Sequence, residues 1–262
     1  MIGRKYADAD GYDAYMGGWS AKLAGPFLDL AGVRDGGTIV DLGCGTGNLL
    51  AAAAKAFQNA TLIGVDPSSA LLAKARRRPE LVSTTFIEGG VESIPLAAQT
   101  SDFTLSLLVL QEFSDRPAAL AQMRRITRPG GIVAACQWDF ARMPVIDALM
   151  VSIEAVQPSA VQAIAANSPK AFVDEDELLE CWRAAGLAEV QTGRITVTQT
   201  FDEFEDLWRP LLAGSTPSTL TLAAMPQPEQ LAVREAMEMK FGWHSGWPIR
   251  IPAQALVVSG LA

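Results

Sequence analysis

The residues of this chain whose types and spacing could do chemistry together lie between positions 41 and 66. Asp41 stands in the apolar run Thr38-Ile39-Val40-Asp41-Leu42, which leads directly into Gly43-Cys44-Gly45-Thr46-Gly47-Asn48. A strand, a glycine loop and a helix in that order bring a ligand against bare backbone at a helix N-terminus. The spacing is G-x-G-x-G with Asn at 48, so the third glycine of the dinucleotide pattern G-x-G-x-x-G is missing. A carboxylate two residues ahead of the loop repels a pyrophosphate and attracts a cation. The loop therefore suits a positively charged, phosphate-free cofactor. A second carboxylate, Asp66, ends the next apolar run 19 residues beyond Gly47, where a strand tip can accept both hydroxyl protons of a ribose. Asp66 could instead cap a helix after Pro67-Ser68-Ser69, but the loop upstream favours a nucleoside.

Such a loop needs a sheet beneath it. From Thr38 to about Gln137, short apolar runs alternate with helical patterns, the signature of a parallel sheet flanked by helices. The expected strands are Thr38–Leu42, Thr61–Val65, Ser83–Glu88, Phe103–Val109 and Ile132–Gln137, each read as a central strand because its apolar run is nearly continuous. Leu49, Leu50, Ala53, Ala54 and Phe57 recur with helical spacing, as do Leu71, Leu72 and Ala75 before Pro79. Pro117 lies in the first turn of another helix pattern, Ala118 to Ile126, and Pro129-Gly130-Gly131 forms a turn ahead of the fifth strand. Residues 139–172 read as a helical insertion, followed by a helix capped by Asp174 and stopped by Gly186. Ala188–Thr198 is a sixth strand, 202–242 a second helical insertion, and Ile249–Ser259 a seventh strand.

Composition narrows the class of partner. Of 262 residues 49% are hydrophobic and 19% charged, which excludes a disordered polypeptide or a coiled coil. A formal net charge of −8 supplies no cation excess for a phosphate backbone or an anionic membrane surface, so neither nucleic acid nor membrane is expected as partner. Cys44, Cys136 and Cys181 show neither disulfide nor zinc spacing, and no metal is expected. No apolar run has the length of a membrane span or the character of a signal peptide, and the cytoplasm is the expected compartment.

Five segments in register carry a resemblance. VDLGCGTGNLL at 40–50, GVDPSSALLAKAR at 64–76, FIEGGVESIPL at 86–96, SDFTLSLLVLQEF at 101–113 and RPGG at 128–131 together resemble the class I S-adenosylmethionine-dependent methyltransferases. The likeness is nearest to the small-molecule branch around the ubiquinone/menaquinone-biosynthesis enzymes. It covers residues 40–138 well and weakly extends to YDAYMGGWS near the N-terminus and to the region after 172. It implies an α/β fold: a Rossmann-like seven-stranded, mostly parallel sheet with helices on both faces, the last strand antiparallel, and helical lids after strands 5 and 6. The chain would then be one domain, with a helical cap at 1–37, a cofactor-binding core at 38–138, lids at 139–172 and 202–246, and the rest of the sheet at 173–201 and 247–262.

By the same resemblance the cofactor is S-adenosyl-L-methionine and the partner a small-molecule methyl acceptor, which the Met and Trp residues of the lids make apolar or aromatic. Gly43 and Gly45 approach the methionine moiety, Asp66 holds the ribose, and Leu71 packs on the adenine. Gly90-Val91-Glu92 borders the adenine edge and Ser106 offers a backbone carbonyl to the amino group, with Asp41, Cys44 and Pro67 completing the set. The family usually has an Asp at the position of Gly90, so one adenine hydrogen bond must be absent or replaced by Glu92 or water. Displacement of a methyl group from a sulfonium disperses charge, so the protein mainly aligns the reactants and excludes water. No catalytic residue follows from the sequence, since a base is needed only where the nucleophile must lose a proton. A non-catalytic cofactor-binding module is the alternative, and a nicotinamide oxidoreductase is disfavoured by Asp41 and Asn48. A DNA-type enzyme would show Asn or Asp with Pro-Pro after strand 4, where this protein has Leu108-Val109-Leu110-Gln111.

Acceptor-pocket candidates come from position. Gln111 and Glu112 follow strand 4 and Asp139 follows strand 5, at the carboxyl ends where open α/β sheets bind ligands. Tyr12, Tyr15 and Trp19 fall in an N-terminal aromatic cluster, with Tyr6 and Met16, that could fold over the cleft or pack as an ordinary helix. His244, the only histidine, is either a base or a surface residue. Met143, Met150, Trp208, Met225, Met237, Met239 and Trp243 lie in the lids, and some of them should line a substrate pocket. The three cysteines read as inert, and Arg76-Arg77-Arg78 as a solvated helix end.

Overall fold

The computed structural model describes residues 9–168, 171–172, 174–214 and 216–262, the side chains of Ala9 and Tyr12 excepted. A single sheet holds seven strands in the order β3-β2-β1-β4-β5-β7-β6. They are β1 (Thr38–Leu42), β2 (Thr61–Asp66), β3 (Thr85–Glu88), β4 (Ser101–Leu107), β5 (Thr127–Trp138), β6 (Ala188–Phe201) and β7 (Ile249–Leu261). The first five are parallel, and β7 runs antiparallel to both β5 and β6. The strand order reverses direction between β1 and β4. That switch point opens a crevice at the carboxyl ends of the strands, where the Gly43 loop emerges.

Alternation along each strand feeds two cores. Ile39, Leu62, Leu105 and Cys136 face one side, under α1 (Gly18–Leu30) and α2 (Asn48–Ala56). Val40, Val65, Val133 and Ala135 face the other, under α4 (Arg116–Ile126) and α7 (Glu175–Ala184). Between α2 and α4 in sequence, α3 (Ser69–Ala75) connects β2 to β3. After β5 come α5 (Pro144–Val156) and α6 (Pro158–Asn167), and after β6 come α8 (Phe204–Leu212), α9 (Pro217–Ala224) and α10 (Gln227–Phe241). These two insertions pack on each other, α5 against α10 and α6 against α9.

The expected elements are present with three differences. β3 is an edge strand, not a central one: it has four residues, and its Thr85 and Glu88 are exposed. Pro129-Gly130-Gly131 is drawn into β5, because Gly130 N donates to Ala262 O and Ala262 N to Gly131 O, both at 2.9 Å. Ala262 thereby extends the ladder through the expected turn. Arg76-Arg77-Arg78 is not merely solvated, since Arg78 Nη1 donates to Thr46 O at 3.2 Å and Asn48 Oδ1 at 2.7 Å. Asp174 does cap α7, its Oδ1 accepting from Glu177 N at 3.0 Å.

Candidate active site

The glycine loop is shaped by close approach as well as by dihedral freedom. Gly43 has φ +71°, and a Cβ there would lie 2.6 Å from the Val109 side chain. Gly43 N and Cys44 N both donate to Val65 O, at 2.7 and 3.1 Å, so the loop stays bound to β2 as it leaves β1. Asp66 completes this binding. Its Oδ2 accepts from Gly45 N at 2.9 Å and its Oδ1 from Ser68 N at 2.8 Å. Ser68, and not Asp66, caps α3, its hydroxyl accepting from Leu71 N at 3.3 Å. Burial raises the Asp66 pKa, while the Ser68 and Gly45 amides pull it down.

Asp41 is the unusual group. It is 1% exposed, and its Oδ1 has no hydrogen-bond partner among the described residues. Desolvation, and next the Asp66 charge, hold its pKa well above the usual 3.8. A buried carboxylate in that position needs either a proton or a cation. The chemistry of this donor set thus fits a ligand with a positive charge and hydroxyl groups. Cys44 lies buried beside it, its thiol pushed well up by burial and by Asp41, which makes it unreactive.

The segment ahead of α1 is tied to this loop. One helical turn, Ala9–Tyr12, runs into a π-helical turn, Asp13–Gly17. Asp13 Oδ1 accepts from Thr46 Oγ1 at 2.9 Å, and Lys74 of α3 meets Asp10 at 2.8 Å and Asp13 at 3.0 Å. Asn48 Nδ2 donates to Ser20 Oγ at 2.7 Å and more weakly to Gly17 O at 3.4 Å. Asp13, Thr46 and Lys74 were not singled out from the sequence, and Asn48 and Arg78 were given no part in holding the loop. Their types are ordinary surface polar residues, and only the fold brings them around one loop.

Beside the β4 tip, an apolar cavity of about 390 Å³ opens between the lead-in, β5, α5, α6 and the start of α9. Tyr15 and Gln111 line it, together with Met143 and Met150 from the first lid. Trp208, Met225, Met237 and Trp243 belong to the core or pack on it, and Met239 is 76% exposed. Tyr15 is buried, which pushes its pKa up to about 12 against a hydrogen bond with Thr216. Leu108, also in the lining, has φ +63°, a left-handed conformation uncommon for a leucine. Its N donates to Cys136 O at 2.9 Å and its carbonyl accepts from Gln111 Nε2 at 2.8 Å.

The remaining candidates divide by what they touch. Asp139 does not face the cavity: its Oδ2 is taken by Arg194 at 2.6 Å and Arg142 at 3.0 Å, because β6 carries one guanidinium to the end of β5 and the turn after β5 supplies the other. Trp19 is buried, edge-on to Trp138 at 6.2 Å and tilted against Phe201, so it serves the core and a neighbouring recess. His244 is exposed in the turn after α10 and lines neither recess. Ser106 is fully buried in β4 and its hydroxyl donates to Leu42 O at 3.0 Å. Leu71 is 3% exposed at the start of α3, and Pro67 is exposed. Gly90 adopts φ −94°, ψ 162°, open to any residue, ahead of the turn Val91–Ser93. A Cβ there meets only Glu92 Oε2, at 3.4 Å. The Tyr12 side chain and all of Tyr6 lie outside the described residues.

Comparison with known proteins agrees with the sheet and the loop. The fold is that of the Rossmann-like methyltransferases. The YcgJ protein of Bacillus subtilis superposes with a TM-score of 0.56 at 18% identity, over 91% of this chain and 97% of that one. Phosphoethanolamine N-methyltransferase 2 of Haemonchus contortus, solved with phosphomonomethylethanolamine and S-adenosylhomocysteine, gives 0.58 at 16% identity, over 97% of this chain and 57% of that one. Residues 39–131 match a family model described as a methyltransferase domain. That match runs from β1 into β5 and includes the glycine loop and Asp66.

Among curated relatives, malonyl-[acyl-carrier protein] O-methyltransferase of Pectobacterium atrosepticum is 36% identical over 107 residues, 41% of each chain. Trans-aconitate 2-methyltransferase of Deinococcus radiodurans is 38% identical over 96 residues, 37% of this chain and 36% of its own. The ubiquinone/menaquinone biosynthesis C-methyltransferase of Syntrophotalea carbinolica is 31% identical over 124 residues, 47% and 51%. The chain thus spans about a third to a half of the length of these relatives. No helix among the described residues is long and apolar enough to cross a membrane.

Proposed function

We propose that the protein is a single S-adenosylmethionine-dependent methyltransferase domain that transfers a methyl group to a small apolar or aromatic acceptor. The observation that carries this reading is Asp41, a buried carboxylate beside a glycine loop whose Oδ1 has no hydrogen-bond partner among the described residues, which a cationic cofactor would satisfy. When bound, S-adenosylmethionine supplies an electrophilic methyl group on a sulfonium. Asp41 faces the charged methionine end, with Gly43, Cys44 and Gly45 giving backbone contact. Asp66 takes the ribose hydroxyls with lone pairs left over from Gly45 N and Ser68 N. Pro67, Leu71, Gly90, Val91 and Glu92 flank the adenine, and the Ser106 end of β4 meets the amino group. The cap at 1–37 and the lids at 139–172 and 202–246 exclude water and hold the acceptor in the apolar cavity, with Tyr15 on the cap side. A charge of −8 and the apolar cavity support a small molecule over nucleic acid, and three free cysteines support a reducing compartment such as the cytoplasm.

Equilibrium titration with S-adenosylmethionine, S-adenosylhomocysteine and NAD tests the proposal. Micromolar binding of the first two and none of the third is the expected outcome. Tight NAD binding, or no binding of either sulfur compound, would overturn it.

A further inference from the structure

The apolar cavity has a neighbour. It shares the wall residues Gln111, Glu112 and Ser168 with an open groove of about 700 Å³, which runs between the segment 111–117 and the end of α6. Arg116, the first residue of α4, lines this groove and is its one cation among the described residues. The side chain is 20% exposed. Its guanidinium carbon stands 4.0 Å from the centre of the Phe172 ring, a stacking that fixes the plane of the fork. A guanidinium carries five N–H donors. None of them forms a hydrogen bond among the described residues, and Glu177 Oε1 stays 3.7 Å from Nη1, beyond hydrogen-bond distance. The other polar side chains of the groove are already engaged. Asp115 Oδ1 accepts from Ala118 N, Ser114 Oγ donates to Glu92 Oε1, and Asn167 Nδ2 and Ser168 Oγ donate to carbonyls of α6. Arg116 is therefore an oriented, largely desolvated cation whose donors are unengaged, one wall away from the cavity.

Resting on the reading of the cavity as the acceptor site, we propose that the groove is a second subsite, in which Arg116 binds the carboxylate of an acceptor whose apolar part fills the cavity. A planar carboxylate meets the planar fork with two parallel hydrogen bonds. A phosphate dianion is opposed more strongly by Glu112 and Asp115, which line the same groove. An ammonium gains from those two carboxylates but sets a like charge against Arg116 and leaves its donors unengaged. The acceptor is thus an amphipathic acid, apolar or aromatic at one end. Arg116 acts here as a specificity-determining residue and takes no part in methyl transfer.

Matched probes test this: 3-phenylpropanoate, 5-phenylpentanoate and 7-phenylheptanoate, each beside its amide and the corresponding amine. They are titrated by calorimetry against the whole protein, with and without S-adenosylhomocysteine. At the chain length that spans both recesses, the acid should bind at least about tenfold more tightly than its amide or amine. Arg116→Met, which keeps an apolar stem over Phe172, should bring acid and amide together. Ala166→Glu, on the exposed far wall of the groove, should weaken the acid several-fold and leave the amide unchanged. That variant keeps the test valid if Arg116→Met fails to fold. Acids bound no more tightly than their amides at every length, amines bound tightest, no binding of any probe up to its solubility, or an undiminished acid preference in a folded Arg116→Met would overturn the proposal. Failure of S-adenosylhomocysteine to bind would count against the methyltransferase reading alone, since the acid preference is measured without it as well.

Discussion

Replacing Asp41 with Asn keeps the shape of the side chain and removes its charge. In the folded protein this carboxylate is 1% exposed and its Oδ1 has no partner among the described residues; burial, and next the charge of Asp66, raise its pKa well above 3.8. Each pH unit of such a rise is about 1.4 kcal/mol by which folding is penalised once the group is ionised. Asp41→Asn should therefore raise the melting temperature of the ligand-free protein at pH 7, by about 2 to 4 °C per kcal/mol relieved in a protein of this size. The sign also sets the pH dependence. Above 3.8 the unfolded group has lost its proton while the folded group retains it. The folded state binds more protons in that window, and stability attributable to Asp41 falls as pH rises from 3.8 through the raised value. The advantage of the variant over wild type should be greatest at high pH and narrow on acidification. Cofactor affinity should move the other way, weakening about 10- to 150-fold with the loss of a hydrogen bond to a charged group. Differential scanning fluorimetry from pH 4.5 to 8 and calorimetric titration with S-adenosylmethionine measure both. A variant that melts lower at pH 7 and binds the cofactor unchanged would refute the argument, because Asp41 would then be a satisfied structural residue.

Asp66→Ala should weaken S-adenosylmethionine binding by a similar factor and also loosen the loop, since Gly45 N and Ser68 N both lose their acceptor; unchanged affinity in a folded variant removes Asp66 from the site. Gly90→Asp should fold normally, because φ −94° suits any residue and the nearest atom to a new Cβ is Glu92 Oε2 at 3.4 Å. Calorimetry should show cofactor binding up to about tenfold tighter, and weaker binding would mean that repulsion from Glu92 outweighs any adenine contact. Asp13→Ala removes the acceptor for Thr46 Oγ1 and one of the two carboxylates on Lys74, so hydrogen exchange over residues 10–19 should quicken about 5- to 30-fold, the effect of 1–2 kcal/mol. Exchange equal to wild type would show that packing of Tyr15 and Trp19 alone holds the lead-in.

Local pattern accounts for the part of this protein that is legible in one dimension. The glycine loop, the carboxylates at Asp41 and Asp66, the parallel strands β1, β2, β4 and β5, and the capped helix after Asp174 depend on dihedral preference, short-range capping and apolar periodicity. Those are properties of neighbouring residues. What the loop is tied to, and what surrounds the apolar cavity, depends on residues far apart in the sequence. Asp139 carried the same positional argument as Gln111, yet Arg194, 55 residues away, takes its carboxylate. Trp138 lies just beyond the expected strand Ile132–Gln137 and drew no reading of its own, and it is a lining residue only because α5, α6 and α9 close around its end of β5. Asp13 and Thr46 meet across 33 residues. An ion pair or a cavity wall is set by which elements the topology brings together, and a residue's type does not encode that: the same Asp or Trp satisfies its neighbours equally well in either setting. The strands and the glycine loop were therefore determined by the sequence alone, whereas the walls of the apolar cavity and the tethers of the loop were decided by long-range packing.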